Sequence, residues 1–519
     1  MAIGIRAGVC ALFATACMGK SSAPRTSPTA ETPPPSDPSV AAPSDPSPPA
    51  PPVPVVSSDA GTPPPPALPL LHGNWTYYGT DQGLSADIQD VSPDEGGNVY
   101  VAGGDALFAK RRDNKTFLRF DASNAGLTRN CNDAADFHNE APAKPFYQCR
   151  ILSVGGAAPG KAVIGFDGFA TEQLDGAQWT YVAGGADVVA FDPVAGTLAR
   201  TRHVYLASPP HVICTSPPLE GRVATCGNPD DYWWVTGRRL FHRVRRIVVN
   251  HDTSSPMYGD AWMAGEHSTF SALLNNATQR GLPDHTAGMG PEWADAKDTW
   301  EHLHPAIIAP DGTFVNGENW ALSIHPSTGI PWGSNQFRTA FVTGYGPDLS
   351  NDDWWMGPNP TNEQYLDVWP DPPNTFFTAT DDNVMSMSHC ADGTLWIGSS
   401  THGLARLAPD GSLSYLSIPD LATFKNDVSA VACDPVDASV WIGLGGGGVM
   451  RLRNGAFELV DNTGAPPFAY QSPQSIQIDR WASRRIVYVA FKAMRTWTAG
   501  GDPNGDIVRP GGIGVYDGP

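Results

Sequence analysis

The sequence predicts an all-β fold, a single β-propeller of eight blades. Three observations carry this: a four-residue strand word that recurs eight times, a partner strand upstream of most copies, and an N-terminal strand that matches what the last repeat lacks. The 54 Gly, 50 Pro and 16 Trp in 519 residues suit turn-rich β structure.

The word reads Val99-Tyr100-Val101-Ala102, Ala162-Val163-Ile164-Gly165, Val204-Tyr205-Leu206-Ala207, Ala261-Trp262-Met263-Ala264, Phe314-Val315-Asn316-Gly317, Leu395-Trp396-Ile397-Gly398, Val440-Trp441-Ile442-Gly443 and Val487-Tyr488-Val489-Ala490. Short apolar strands precede it at Ile88–Val91, Val188–Phe191, Val384–Met387, Val428–Val431 and Ile476–Ile478, with a turn such as Asp392-Gly393 between, so each pair predicts an antiparallel hairpin. The second residues of successive copies lie 42, 45 and 47 apart in the three tightest intervals, a spacing that fits a four-stranded blade of about 40–50 residues; wider intervals imply added loops. The Phe314 copy departs most from the pattern, which leaves seven blades as the alternative.

After the last hairpin only Gly512–Tyr516 reads as a strand before Pro519, so the final blade is one strand short. Gly73-Asn74-Trp75-Thr76-Tyr77-Tyr78 resembles Gly176-Ala177-Gln178-Trp179-Thr180-Tyr181 and supplies the missing strand. Pairing the two termini in one blade closes the ring and covers an edge that would otherwise invite aggregation.

Ahead of residues 71–519, expected to form the propeller with insertions at 112–148, 208–235 and 281–380, two segments read differently. Residues 1–16 carry an early Arg6 and an apolar run, the layout of an export signal too short to span a bilayer. The run ends in Ala14-Thr15-Ala16-Cys17, which resembles a bacterial lipoprotein processing site with Ala14 where Leu is usual; the resemblance implies lipidation at Cys17. Residues 17–70 form a linker, with 18 prolines in the 46 residues from Pro24 to Pro69 and no aromatic residue, so the segment is expected to stay extended and unfolded. No later stretch has 18 consecutive apolar residues. A net charge of −20 argues against nucleic acid and anionic membrane surfaces as main partners, because both are bound through Lys/Arg clusters.

Gly83-Leu84-Ser85 with Ile88–Asp94 and Val99–Leu107, and again Val384–Leu407 and Val428–Leu452, resemble the repeats of two-component-regulator propellers, ligand-sensing domains often found before sensor kinases. The resemblance covers Gly83–Phe108 and Val384–Leu452 and implies a propeller outside the cytoplasm with a sensing role. With no membrane-spanning helix or kinase in the sequence, the chain is not expected to relay a signal alone.

Apart from Cys10 and Cys17, six cysteines remain. Cys131 with Cys149 and Cys214 with Cys226 each close a short loop without core patterning, and bridges there would contribute ~3 kcal/mol each. Cys390 and Cys433, at like positions in neighbouring blades, read as buried thiols, too far apart to bridge.

In propellers the loop after the second strand and the loop between blades meet on one face of the channel. The first set brings Asp105, Asp167, His211, Glu266, His267, Glu318, His402 and Gly445–Gly448; the second brings His302, His304, Asp381, Asp382 and Asp427. Gly265-Glu266-His267 and Gly317-Glu318-Asn319 follow their words in register, and His302 and His304 share a face on a strand, where two imidazoles can co-ligate a metal. Against this stands the plainer reading of solvated loop residues. Seven Trp between Gly281 and Thr380 fit either flat platforms for sugar rings or plugs that hold loops onto the propeller. No nucleophile elbow is present, and Gly445–Gly448 lacks the Lys and Ser/Thr of a phosphate loop and reads as a tight turn.

The expected function is therefore that of a monomeric, lipid-anchored propeller on the cell envelope, in the outer membrane, binding an envelope ligand, glycan or protein without catalysis and with no cofactor identified. The alternative is an enzyme resembling streptogramin-type lyases, which hold a divalent metal with His and Glu at the channel mouth.

Overall fold

The computed structural model describes residues 68–127, 131–132, 150–205 (less 168, 174–179 and 184), 244–273 (less 255–257 and 266–267), parts of 302–369, and 384–518 (less 419–426, 461–463 and 497–505). The chain divides into Met1–Pro63 and Pro64–Pro519, and all described residues lie in the second unit.

Among them are seven antiparallel sheets of four or five strands. Their first strands are Asp90–Pro93, Arg150–Gly156, Val244–Val249, Leu322–Ile324, Val384–His389, Val428–Cys433 and Pro473–Ile478, in blades numbered 1 to 7 in that order. Each first strand packs against the next, and that of blade 7 packs against that of blade 1. These are the inner strands of a closed β-propeller.

The word's aromatic residue belongs to the second strand, where Tyr100, Trp262, Trp441 and Tyr488 are fully buried between blades. An inner strand has one hydrogen-bonded neighbour in its own sheet, so its other edge needs partners from elsewhere. The preceding blade supplies them. Ser92 Oγ accepts from Gly156 N at 2.9 Å, Ser323 Oγ from His389 N at 3.0 Å, and Ser386 Oγ and Ser388 Oγ from Val431 N and Cys433 N, both at 2.9 Å. Gly156 must lack a side chain, since a Cβ there would overlap the Pro93 carbonyl. At the end of three inner strands an aspartate holds its own turn and is gripped by the next blade: Asp94 by Gly160 N at 2.8 Å, Asp434 by Arg485 at 2.5 Å, Asp479 by Arg112 through two bonds of 2.6 and 2.9 Å.

The ring closes as the sequence predicts. Trp75–Tyr78 pairs antiparallel with Gly512–Asp517, in the register Trp75↔Tyr516 to Tyr78↔Ile513, and Leu70–His72 adds a fifth strand outside it.

Three expectations are corrected. Val204-Tyr205 ends the outer strand of blade 2 (Thr197–Tyr205), and Val188–Phe191 lies in that blade's third strand (Gly185–Asp192), so two of the eight words fall in one blade. Phe314–Asn316 pairs, among the described residues, only with Ala306–Ile308, in a two-stranded ladder. Residues 281–380 are not solely an insertion: blade 4 lies there, with strands Leu322–Ile324, Pro331–Ser334, Phe341–Gly344 and Gln364–Asp367. These are the reasons the described sheets number seven against an expected eight.

Cys390 and Cys433 are not free thiols but a disulfide with Cα atoms 5.2 Å apart. The separation expected between blades applies to their outer strands; inner strands converge on the axis, so like positions in neighbouring blades touch there. Cys149, Cys214 and Cys226 lie outside the described residues, and of Cys131 only the backbone, in the strand Cys131–Asn132, is described.

Candidate functional site: the axial channel

The inner strands of the seven described blades line one cavity of about 280 Å³ on the axis. Two contacts cross it between blades 3 and 7, which stand three places apart around the ring. Toward the face where the inner strands begin, the amino face, the Arg246 guanidinium donates to Gln474 O at 3.1 Å and lies 3.7 Å from the buried Asp90 carboxylate. Toward the face where they end, the carboxyl face, the rings of His251 and Trp481 meet edge to face at 4.6 Å. Blade 2 offers only Gly155 and Gly156 to the wall, which leaves room between these contacts.

The carboxyl-face cluster is built by the residues just after the inner strands. Glu95 of blade 1 takes hydrogen bonds from His251 Nδ1 and the Tyr258 hydroxyl, both at 2.8 Å. The bond from His251 holds the Glu95 carboxyl below its usual range; burial pushes the His251 imidazole down despite the carboxylate, so it is the neutral ring that donates. Arg480 lies with its guanidinium 5.8 Å from the Trp481 ring and forms no hydrogen bond or ion pair among the described residues. A neutral imidazole, an indole, hydroxyls and a guanidinium around a small chamber can bind and orient a polar molecule.

One pair has the outline of a nucleophile and its base. Ser323 Oγ lies 2.9 Å from His389 Nδ1, with the His325 ring 5.1 Å from that of His389. Burial, with His325 adding to it, pushes His389 down to about 3. A base so weak gains almost nothing from taking a hydroxyl proton at neutral pH, so the pair serves structure, with Ser323 also accepting from His389 N. The sign of the linkage follows: the folded pKa lies below the unfolded value of 6.5, so the unfolded chain binds the extra proton and stability falls as pH drops from 6.5 toward about 3. Each pH unit below about 6 is expected to cost about 1.4 kcal/mol from this group. Denaturant melts across that range check it: His389→Asn, which keeps an acceptor near Nδ1, should flatten the slope, and an unchanged slope contradicts the assignment.

Of the residues singled out in the sequence, Asp105 pairs with Arg119 of blade 1's outer strand at 3.0 Å, both exposed. His402 is exposed and stacks on Trp369 at 5.5 Å, so that Trp acts as a contact between blades 4 and 5. His302 lies in the outermost strand of blade 3, opposite Phe270, three ladders from the channel rather than at its mouth; its side chain is not described. Asp167 ends the second strand of blade 2, again with the backbone alone described. His211, Glu266, His267, His304, Glu318, Asp381 and Asp382 lie outside the described residues. Among the described residues no three His, Cys, Asp or Glu side chains group as a metal site. Gly445–Gly448 is a tight turn, with Gly447 at φ +97° and no room for a Cβ against the Tyr470 carbonyl.

The residues that sequence reasoning passed over share one register. Glu95, His251 and Arg480 each follow the Asp or Asn that comes directly after an inner strand, in Asp94-Glu95, Asn250-His251 and Asp479-Arg480. Aligning the turns after the first strands would have found them.

Strand order, axial channel and closure by the N-terminal strand define the chain as a β-propeller. No family model matches it, and no curated protein does. Among solved structures it is similar to YCF48 bound to D1 peptide, at 13% identity over 87% of this chain and 100% of that one with a TM-score of 0.42. It is also similar to the Myceliophteria thermophila Cps50 (Swd1) β-propeller domain, at 8% identity over 84% and 97% with a TM-score of 0.43. A chain of the mitotic checkpoint complex matches at 10% identity over 78% and 87%, with a TM-score of 0.39. The assignment of fold rests on this chain's own strand pairing.

Proposed function

We propose that the chain is an exported, lipid-anchored, monomeric β-propeller that binds an envelope ligand in its axial channel and carries out no chemistry on it. The observation that carries this reading is the chamber of about 280 Å³ walled by all seven inner strands and crossed at two levels by contacts between blades 3 and 7. Its volume falls at the small end of ligand pockets, where a few polar groups fix orientation. The tether is supported by Ala14-Thr15-Ala16-Cys17 and the proline-rich segment after it, and a sensing role by the likeness of Gly83–Phe108 and Val384–Leu452 to two-component-regulator repeats. A small molecule, a glycan end or a protein segment each fits this reading, whereas no observation favours the lyase-like alternative.

A panel of envelope sugars, peptides and small acids, scored by melting temperature, tests binding, because a ligand of the folded state raises it. A rise with some member, lost in Trp481→Ala, supports the channel; no rise with any contradicts it. Acyl labelling tests the tether: the exported wild type is expected to carry acyl chains that Cys17→Ala lacks, and unmodified wild-type protein removes the anchor. More than one chain is expected, since a single one anchors only marginally.

A further inference from the structure

The turn after each inner strand sets one residue on the rim of the carboxyl face, two places beyond the strand's end. Blades 1, 3 and 7 set Glu95, His251 and Arg480 there and blade 2 sets Ala158, whereas blades 4, 5 and 6 set Pro326, Ala391 and Pro435. The rim is therefore polar on one side and apolar on the other. His251, Arg480 and the three residues of blades 4 to 6 line the chamber itself, and Trp481 lines it beside Arg480. Just inside, the last residues of the inner strands of blades 3, 4 and 7 are Val249, Ile324 and Ile478, each half-buried against the chamber. Blade 6 adds the Cys433 half of the disulfide at that level, and blade 5 adds His389, whose imidazole burial keeps neutral.

On the polar side the carboxylates of Glu95 and Asp252 are both occupied. One Glu95 oxygen takes the His251 Nδ1 bond and the other the Tyr258 hydroxyl, each at 2.8 Å. Asp252 accepts from the Ser254 amide at 2.9 Å and from its hydroxyl at 2.7 Å. Arg480 is left without a hydrogen bond or ion pair among the described residues: it is exposed, lines the chamber, and has the Trp481 ring 5.8 Å from its guanidinium. The protein packed around it works against its charge, and the Glu95 carboxylate, which does not pair with it, works for that charge.

A guanidinium carries five N–H donors in a planar fork that matches a carboxylate, and one held against protein has given up part of its water. A cationic ligand would find both nearby carboxylates taken, and a sugar would find no polar partner on the side of Pro326, Ala391 and Pro435. A ligand with one charged end and an apolar body meets both halves of the rim. We propose that the carboxyl face of the channel binds a small organic acid, its carboxylate on Arg480 and its apolar body lying from Trp481 across to Ile324, Pro326 and Ala391. The chamber of about 280 Å³ keeps the acid small. The inference rests on the reading of the channel as the binding site and names the chemical class of its ligand.

Calorimetric titration of the folded protein with 3-phenylpropionate and 4-methylpentanoate tests it, each acid set against its own amide, which keeps the body and loses the charge. At least one acid is expected to bind about tenfold or more tighter than its amide, the preference expected of a charge-assisted contact. Arg480→Gln breaks no hydrogen bond or ion pair among the described residues, so it should leave the melting temperature in place while acid and amide become equal. Arg480→Lys, which keeps the charge and loses the fork, should retain part of the preference. No binding of either acid, equal binding of acid and amide, or a preference that survives Arg480→Gln overturns the proposal. Trp481→Ala keeps the two readings apart: binding of a neutral compound that this variant abolishes leaves the channel as the site without an acid subsite, and no binding of any compound removes both.

Discussion

Deletion of Leu71–Gly79 is expected to unfold or aggregate the protein. The deletion removes Trp75, Tyr77 and Tyr78, all buried at 5% exposure or less, along with the ladder to Gly512–Asp517. Tyr77 packs edge to face on Phe468 at 5.9 Å, and Trp75 on Tyr516 at 5.3 Å. At about 1.5–3 kcal/mol for each large apolar side chain, three such losses approach the roughly 5–15 kcal/mol by which a whole domain is stable. The bared edge of Gly512–Asp517 would also pair with other chains. Deleting Pro24–Pro66 instead is expected to leave the melting temperature unchanged, since that proline-rich stretch has no aromatic residue and too little apolar surface to build a core. Melting and light scattering of the two truncations check this, and like behaviour of both contradicts closure by the N-terminal strand.

The second large effect concerns Cys390–Cys433. The bridge spans 43 residues and joins the inner strands of blades 5 and 6 just beyond the Ser386–Val431 and Ser388–Cys433 bonds. Loop entropy puts its contribution at about 4 kcal/mol, at the upper end of the roughly 2–4 typical of a disulfide. Paired Cys390→Ala and Cys433→Ala substitutions, or reduction of the wild type, should lower the urea midpoint with little change in slope. A midpoint unmoved by both treatments contradicts a stabilising bridge.

Much of this fold was legible because burial between blades constrains one strand strongly. A second strand packs both faces against neighbouring blades, so it reads as a short apolar run, often with a large aromatic as in Leu395-Trp396-Ile397-Gly398; six of the eight words are second strands, five of them with the aromatic. The same requirement misled at Val204-Tyr205, because an outer strand can also be apolar. Blade 4 was hidden by its composition: its inner strand is only Leu322-Ser323-Ile324, and its second strand, Pro331-Trp332-Gly333-Ser334, has Pro and Gly where the word has apolar residues. Closure was readable at both ends, since a strand missing from one terminus must come from the other.

The site was less legible. Sequence reasoning looked to the amino face and to acids after the second strands, whereas the described chamber is lined toward the carboxyl face by His251 and Arg480, with Glu95 bonded to His251, each a single polar residue in a turn. Arg150 of blade 2 and Arg495, beyond the second strand of blade 7, are some 345 residues apart along the chain and meet on Asp87 of blade 1 only through ring closure. Nothing local marks such a meeting.

The central claim is that the channel between blades 3 and 7 takes the ligand. Hydrogen exchange, with and without the panel compound that most raises the melting temperature, tests it most directly. Protection is expected in 244–252 and 473–482, the segments that bear Arg246, His251, Gln474 and Trp481. Protection confined to the outer strands, such as Leu413–Leu416 and Ala456–Leu459, with the inner strands unchanged, would place the ligand on the outside of the ring and contradict the account.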